Sequence, residues 1–171
     1  MRENFAVEIQ WKDFPLHPET PEEGLTLEEL FAGRNIDIPQ AMARLKRVAE
    51  ELGLPWGKRK KTYNSRLAQE LGKWAEGKGS GDAFRDAAFR AYFVDGRNIA
   101  KPDVLAGVAK AAGLSEKEAR EVLQARAFRD AVDADWTLAG SMGIEAVPTF
   151  LLDGGTLVGA QPYEALERLL L

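Results

Sequence analysis

Apolar and polar residues alternate near the start of the chain. Phe5, Val7, Ile9 and Trp11 are apolar, and polar residues separate them from position 8 onward. A period of two is typical of a strand with one buried face, so the pattern predicts a strand over residues 5–12. Prolines at positions 15 and 18 end it, because proline cannot donate to a strand ladder.

The pattern then becomes helical as far as about residue 142. Each apolar stripe follows a helix start signal, and one helix, opened by Asp37 and Pro39, ends at Gly53. Its predicted inner face comprises Met42, Leu45, Val48, Ala49 and Leu52. The other predicted starts are the capping boxes Thr26/Glu29 and Ser115/Glu118, the cap Asn64, Ser80 or Asp82, and Lys101–Pro102. A helix over 84–94 is apolar nearly all round, which is typical of a central helix.

The hydrophobic pattern of the last thirty residues is no longer purely helical. Two short apolar runs, 149–152 and 156–158, flank Asp153-Gly154-Gly155 and predict a β-hairpin. Pro162 then opens a final helix. The order is therefore a strand, a helical block, two strands and a helix, which we interpret as one compact chain with two sub-regions.

Composition excludes several kinds of chemistry. The 171 residues contain no cysteine and one histidine, His17, so disulfides, thiolate catalysis and Cys- or multi-His metal sites are excluded for this sequence. The net charge of -4 gives no general attraction to nucleic acid or to anionic membranes. Neither a signal peptide nor a membrane span is evident, so we expect a cytoplasmic protein with no membrane partner.

Two segments near the end carry a family resemblance. Gly-Ile-Glu-Ala-Val-Pro-Thr-Phe (143–150), followed by the hairpin, Gly-Ala-Gln-Pro (159–162) and a terminal helix, resembles the C-terminal half of DsbA-like thioredoxin-fold oxidoreductases. The Gly-Ala-Gln-Pro ending is similar to the cytoplasmic branch, which is related to 2-hydroxychromene-2-carboxylate isomerase. The resemblance implies an α/β, thioredoxin-like fold with a large all-helical insertion. Residues 1–37 and 141–171 would form the thioredoxin-like part, and 38–140 the helical sub-domain.

The resemblance also implies that the first βα unit is missing. Family members begin with a strand, a turn containing Cys-x-x-Cys or Ser, and a helix, and only then continue with a strand like residues 5–12. In their sheet the first strand lies between that strand and the one beginning at Thr149. We therefore expect open strand edges, closed by direct pairing of the two strands, by a partner chain or by a homodimer.

Val147, Pro148 and Thr149 are the candidate substrate-binding residues implied by the resemblance. In the family the proline is cis, and the residue before it offers its backbone to an extended peptide or small-molecule substrate in a groove. By itself, the motif also fits a trans proline that opens an edge strand. We predict the cis form here, with no catalytic residue, metal ligand or cofactor in the chain.

Two other features are assigned structural roles. The basic cluster Lys58–Lys61 could bind an anion, but four adjacent charges in a loop are typical of a solvated surface. His17, between two prolines, has no neighbouring titratable partner. We therefore expect no nucleic acid partner and no histidine catalysis.

Three functions remain open at this point. The chain is a thiol–disulfide oxidoreductase family member that is redox-inactive as written, a non-catalytic binding or scaffold module that uses the cis-proline groove, or a relative of glutathione-dependent isomerases and transferases. The Gly-Ala-Gln-Pro ending argues against the third.

Overall fold

Helix start signals in the sequence become helix caps in the structure. Thr26 Oγ1 accepts the backbone N–H of Glu29 at 3.1 Å, and Glu29 Oε2 accepts the N–H of Thr26 at 2.8 Å. Asp37 Oδ1 likewise accepts the N–H of Gln40 at 2.9 Å, and Ser115 Oγ accepts an N–H three residues on at 3.3 Å. These bonds satisfy donors that a helix terminus leaves unpaired. The predicted starts at these three positions are confirmed.

The computed structural model describes residues 5–57, 59–152 and 155–170. Helices dominate, and the strands are short. The elements are β1 (Leu25–Thr26), α1 (Leu27–Leu30), α2 (Ile38–Glu51), β2 (Lys61–Thr62), α3 (Arg66–Gly77), α4 (Gly81–Phe89), a π-helix (Arg90–Val94), α5 (Pro102–Ala111), α6 (Glu116–Ala125), α7 (Arg129–Ser141), β3 (Thr149–Leu152), β4 (Gly155–Val158) and α8 (Tyr163–Leu170).

The described strands form two antiparallel pairs. β1 pairs with β2, with Leu25 opposite Thr62, and β3 pairs with β4, with Thr149 opposite Val158. The second pair is the predicted hairpin, although Asp153 and Gly154 of its turn lie outside the described residues. The first pair joins segments more than thirty residues apart and was not predicted.

The predicted strand over residues 5–12 is wrong. This segment is irregular in the structure, because a strand requires a neighbour with which to exchange backbone hydrogen bonds, and no strand pairs with it among the described residues. The side chain of Asp135 fixes the end of this segment instead. Asp135 Oδ2 accepts the backbone N–H of Asp13 at 2.9 Å, and Lys12 Nζ lies 3.5 Å from Asp135 Oδ1.

Contacts divide the chain into two units. The discontinuous unit comprises Met1–Leu16 and Asp133–Leu171, and the helical unit comprises His17–Val132. The domain boundaries at 37/38 and 140/141 in the sequence analysis remain a prediction.

The core of the helical unit lies among α3, α4, α5 and α6. Trp74 and Phe84 are buried in it, whereas Phe89 is 55% exposed. Burial of a large apolar side chain contributes about 1.5–3 kcal/mol, so this cluster is the main source of stability in the unit. Its buried members are Leu71, Trp74, Ala75, Phe84, Ala91, Ile99, Leu105, Val108, Ala109, Ala119 and Leu123.

A π-helical turn interrupts the predicted helix over 84–94. The α-helical pattern ends at Phe89, and the N–H of Asp95 donates to the carbonyl of Arg90, five residues back, at 3.0 Å. Gly57 approaches this turn so closely that a Cβ there would lie 1.8 Å from the carbonyl oxygen of Val94. This close approach therefore requires glycine at position 57.

The predicted inner face of α2 is also wrong. Ala49 is its buried residue, whereas Leu45, Val48 and Leu52 are exposed. An amphipathic pattern identifies the apolar side of a helix but not whether another element covers it. The apolar side of α2 is thus where the pattern predicts it, but that side is exposed.

In the discontinuous unit, α8 packs on the hairpin. A Cβ at Gly155 would lie 2.6 Å from Leu169 Cδ1, so the absence of a side chain allows this leucine to rest on β4.

In the portion of the chain that the structure describes, every helix is too short or too polar to cross a lipid bilayer.

Candidate functional site

The segment leading to the candidate site begins at the end of α7. The N–H of Gly143 donates to the carbonyl of Gly140 at 3.1 Å, and that of Ile144 donates to Ala139 at 3.0 Å. Gly143 has φ of 65°, the left-handed conformation that this Schellman ending requires. The glycine thus stops the helix and turns the chain toward β3.

Val147, Pro148 and Thr149 lie where this segment enters β3. The Val147–Pro148 peptide bond is cis. Thr149 Oγ1 donates to the carbonyl of Ala146 at 2.6 Å, and the N–H of Gly159 donates to the carbonyl of Pro148 at 2.7 Å. The carbonyls on both sides of Val147 are therefore already occupied by bonds within the site.

Val147 itself is open. The residue is 43% exposed, and neither its N–H nor its C=O has a hydrogen-bond partner in the described ranges. A backbone donor and an acceptor on one exposed residue form the pair that an extended chain uses in strand pairing. This segment thus offers a backbone donor and a backbone acceptor, and it contains no cysteine or histidine.

Strand β3 continues this open surface. Its ladder partner is β4, and no other strand of the described residues pairs with it. Phe150, Leu151 and Leu152 are exposed, and consecutive strand residues face opposite sides of a sheet. Both faces of β3 thus present apolar side chains, a composition typical of a strand covered on both sides.

Two residues of the basic cluster, Arg59 and Lys61, contact other parts of the protein. Arg59 Nη1 donates to Thr62 Oγ1 at 2.9 Å and to the hydroxyl of Tyr92, and its guanidinium lies 4.5 Å from the centroid of the Tyr92 ring. Lys61 Nζ donates to the carbonyl of Glu23 at 3.1 Å. Lys58 lies outside the described residues. Arg59 and Lys61 therefore join β2 to its surroundings.

His17 contacts an aromatic ring. Its ring centroid lies 6.1 Å from that of Phe31 in an edge-to-face arrangement. Partial burial, and then the positive charge of Arg34, lowers the pKa of His17 below its ordinary value. This environment favours the neutral imidazole. No group of three or more His, Cys, Asp or Glu side chains in the described ranges could hold a metal ion.

Sequence reasoning missed Asp135. This buried carboxylate anchors residues 12 and 13 of the discontinuous unit, yet it lies 122 residues from its backbone partner. Nothing local marks it, because the sequence DADWTLAG is typical of an ordinary amphipathic helix.

Comparison with known proteins defines the class. The model of the DSBA-like thioredoxin domain matches residues 1–171. A probable DsbA oxidoreductase from Streptomyces coelicolor superimposes with a TM-score of 0.85 at 30% identity, over 96% of this chain and 74% of that one. The chain therefore belongs to the DSBA-like thioredoxin domain family, and its thioredoxin-like fold with a helical insertion is confirmed.

A more distant neighbour shows the same fold. The cytosolic disulfide reductase DsbM from Pseudomonas aeruginosa aligns with a TM-score of 0.55 at 24% identity, covering 80% of this chain and 71% of its own. A search of curated proteins found no significant sequence match.

Proposed function

We propose that this member of the thiol–disulfide oxidoreductase family docks an extended polypeptide at Val147, Pro148 and Thr149, and that the 171 residues do not exchange disulfides by themselves. The exposed, unpartnered N–H and C=O of Val147 carry the proposal. Two backbone hydrogen bonds from a substrate would satisfy both groups. A cytoplasmic location belongs to the same proposal.

The neighbouring side chains suit an apolar substrate segment. Phe150 and Leu151 are exposed beside the docking backbone, on opposite faces of β3. In strand addition the main chain supplies affinity, and alternate side chains supply selectivity. We therefore expect extended apolar segments, such as those of an unfolded protein, to bind better than polar ones.

Disulfide exchange requires a thiolate, which this sequence does not contain. A serine or lysine nucleophile would need an adjacent base, and the single histidine packs against Phe31. We therefore expect no turnover in a dithiol-driven insulin reduction assay.

A chimera distinguishes an oxidoreductase scaffold from a non-catalytic binding module. A relative's strand, Cys-x-x-Cys turn and helix would be fused before Met1, and the folded chimera assayed beside the unaltered chain. Activity in the chimera alone supports an oxidoreductase scaffold. A folded but inactive chimera supports a non-catalytic binding module, and turnover by the unaltered chain contradicts the proposal.

Docking is tested without redox chemistry by titrating carboxymethylated insulin B chain, an extended polypeptide without free thiols. Thr149→Val removes the bond to Ala146 that shapes the site, and we expect binding to weaken about three- to tenfold, or about 0.7–1.4 kcal/mol. Thr156→Val on the paired strand is the matched control, with unchanged affinity expected. Equal effects of the two substitutions would place docking elsewhere.

The uncovered edge of β3 supports a second part of the proposal, a homodimer that pairs open strand edges. Unpaired strand edges are templates for association with another chain. Sedimentation at increasing concentration is expected to show a dimer, weakened by Leu151→Lys. A purely monomeric protein at all concentrations would contradict this part and leave peptide docking intact.

A further inference from the structure

A groove runs between two elements of the helical unit, bounded by α4 with the π-helix on one side and α5 on the other. Its volume is about 410 Å³, and Ala87, Ala91 and Val108 are among the apolar residues that line it. Small-molecule sites in proteins are typically about 300–1,000 Å³, with apolar walls and a few polar groups. The groove has room for a ligand of a dozen or so heavy atoms.

Four charged side chains line the groove: Asp86, Arg90, Asp95 and Arg97. None of the four side chains forms a hydrogen bond or an ion pair with another residue in the described ranges. Asp86 and Arg90 are four residues apart, a spacing at which helical carboxylate and guanidinium groups commonly pair. Two carboxylates and two guanidiniums are therefore available to a ligand.

The backbone at the groove is also unusual. Beyond the π-helical bond from Asp95 to Arg90, the N–H of Arg97 donates to the carbonyl of Ala91 at 2.8 Å. A π-helical turn accommodates an extra residue, and such turns occur frequently at functional sites. The turn thus brings Asp95 and Arg97 to the same groove as Asp86 and Arg90.

Gly107 provides the opposite wall. A Cβ there would lie 3.6 and 3.9 Å from the two terminal nitrogens of Arg97, so the guanidinium lies directly over this glycine. Glycine within a helix is less favourable than alanine. Gly107 therefore contributes a wall without a side chain next to the Arg97 guanidinium.

We propose that the groove binds a small zwitterion, of the amino acid or dipeptide class. Arg90 and Arg97 would receive its carboxylate, since guanidinium and carboxylate form charge-assisted, often bidentate bonds. Asp86 and Asp95 would receive its ammonium group, and they disfavour a phosphate dianion. The four groups sum to zero charge, which matches a zwitterion. The proposal concerns the helical unit alone and is independent of the proposed function.

The test uses glycylglycine as the probe, with calorimetry for affinity and amide chemical shifts for location. We expect saturable binding with shifts confined to residues 83–111. N-acetyl-glycylglycine lacks the ammonium and glycylglycine amide lacks the carboxylate, so each should bind about tenfold more weakly or not at all. Inorganic phosphate should bind more weakly than the dipeptide.

Variants locate the contacts. Arg97→Gln is expected to weaken glycylglycine binding about tenfold, and Arg47→Gln, an exposed arginine on α2, is the matched control with unchanged affinity. Gly107→Leu should fill the groove and abolish binding while the circular dichroism spectrum is preserved. If a variant does not fold, comparing the capped and uncapped dipeptides on the unaltered protein still tests whether the site requires both charges of a zwitterion.

Three results would overturn the proposal. These are equal binding of glycylglycine and both capped forms, equal effects of Arg97→Gln and Arg47→Gln, or shifts outside the groove. Tighter binding of phosphate than of the dipeptide would also reject the zwitterion, in favour of an anion site.

Discussion

Arg126 donates to both carboxylate oxygens of Glu70, from Nε at 2.7 Å and from Nη2 at 2.6 Å, while its own backbone has φ of 51°. Arg66 Nε adds a third bond to Glu70 Oε1 at 2.7 Å. The Glu70 side chain is 2% exposed, so these bonds compensate a charge that would otherwise be buried alone. The left-handed backbone at the end of α6 is what directs the arginine toward α3.

Substitutions of Arg126 separate the contribution of its ion pair with Glu70 from the cost of its left-handed backbone. Arg126→Ala loses the ion pair and keeps a side chain in the left-handed region, and we expect a loss of about 2–4 kcal/mol in the free energy of unfolding. Arg126→Gly loses the same pair but relieves the backbone, so it should be more stable than the alanine variant by about 1 kcal/mol. Urea denaturation at neutral pH measures both. An alanine variant as stable as the glycine variant would show that the backbone carries no strain.

We also expect the free energy of unfolding to depend on pH through the Glu70 carboxylate. Burial acts to raise the pKa of Glu70, but the hydrogen bonds from Arg126 and Arg66 outweigh it, so the pKa falls below the ordinary value of 4.5. A depressed pKa in the folded state stabilises the fold above the ordinary pKa, and this stabilisation is lost as the pH falls below it.

The measurement is the free energy of unfolding from pH 7 to pH 3. The difference between the unaltered protein and Glu70→Gln should be constant above about pH 5 and shrink below about 4.5. Glu51→Gln, which changes an exposed carboxylate on α2, is the control. A difference for Glu70→Gln that does not change with pH would contradict the ion pair.

The features that the sequence predicted are local. Thr26 and Ser115 cap helices within three residues of themselves, so their effect can be read from adjacent letters. Glu70 and Arg126 are 56 residues apart, and in the sequence each is an ordinary charged residue of a helical segment. Long-range pairs of this kind carry no signal in a single sequence.

The failed predictions have a related cause. Residues 5–12 have the alternation of a strand, and Leu45 and Val48 have the spacing of a buried helix face, yet both properties need a partner that the pattern does not identify. Of the candidate site, Val147–Thr149 was predicted through the family resemblance. The hydrogen bonds from Thr149 and Gly159 that leave Val147 free became visible only in the structure.

Alanine substitutions at Gly57 and Gly140 are expected to change the stability of the protein in opposite directions. Gly57→Ala would force a Cβ against the backbone of Val94, and we expect a loss of more than about 2 kcal/mol. Gly140 lies within α7 with open space around it, so Gly140→Ala should stabilise the protein by about 0.5–1 kcal/mol. Thermal denaturation of both variants measures these two changes in stability. Destabilisation by Gly140→Ala would mean that α7 needs its glycine for another reason.

His17 allows a direct titration, because it is the single histidine in the sequence. Its ring protons should titrate with a midpoint below the ordinary value of about 6.5, since burial and the Arg34 charge both lower the pKa. Arg34→Gln should raise the midpoint toward that value, and Arg44→Gln on α2 should leave it unchanged. The neutral form is favoured in the folded state, so any stability contributed by His17 is present above about pH 6.5 and declines below it. A midpoint above the ordinary value would contradict this environment.

The π-helical turn makes the number of residues in this region as important as their identity. Deleting one apolar residue of Arg90–Val94 would remove the extra residue that the bonds from Asp95 to Arg90 and from Arg97 to Ala91 enclose, so the turn could no longer place Asp95 and Arg97 as it does. Asp95 and Arg97 would then leave the groove, although no charged residue had been removed. Relatives with the same four charged residues but one residue fewer in this turn would therefore differ in what this surface can bind.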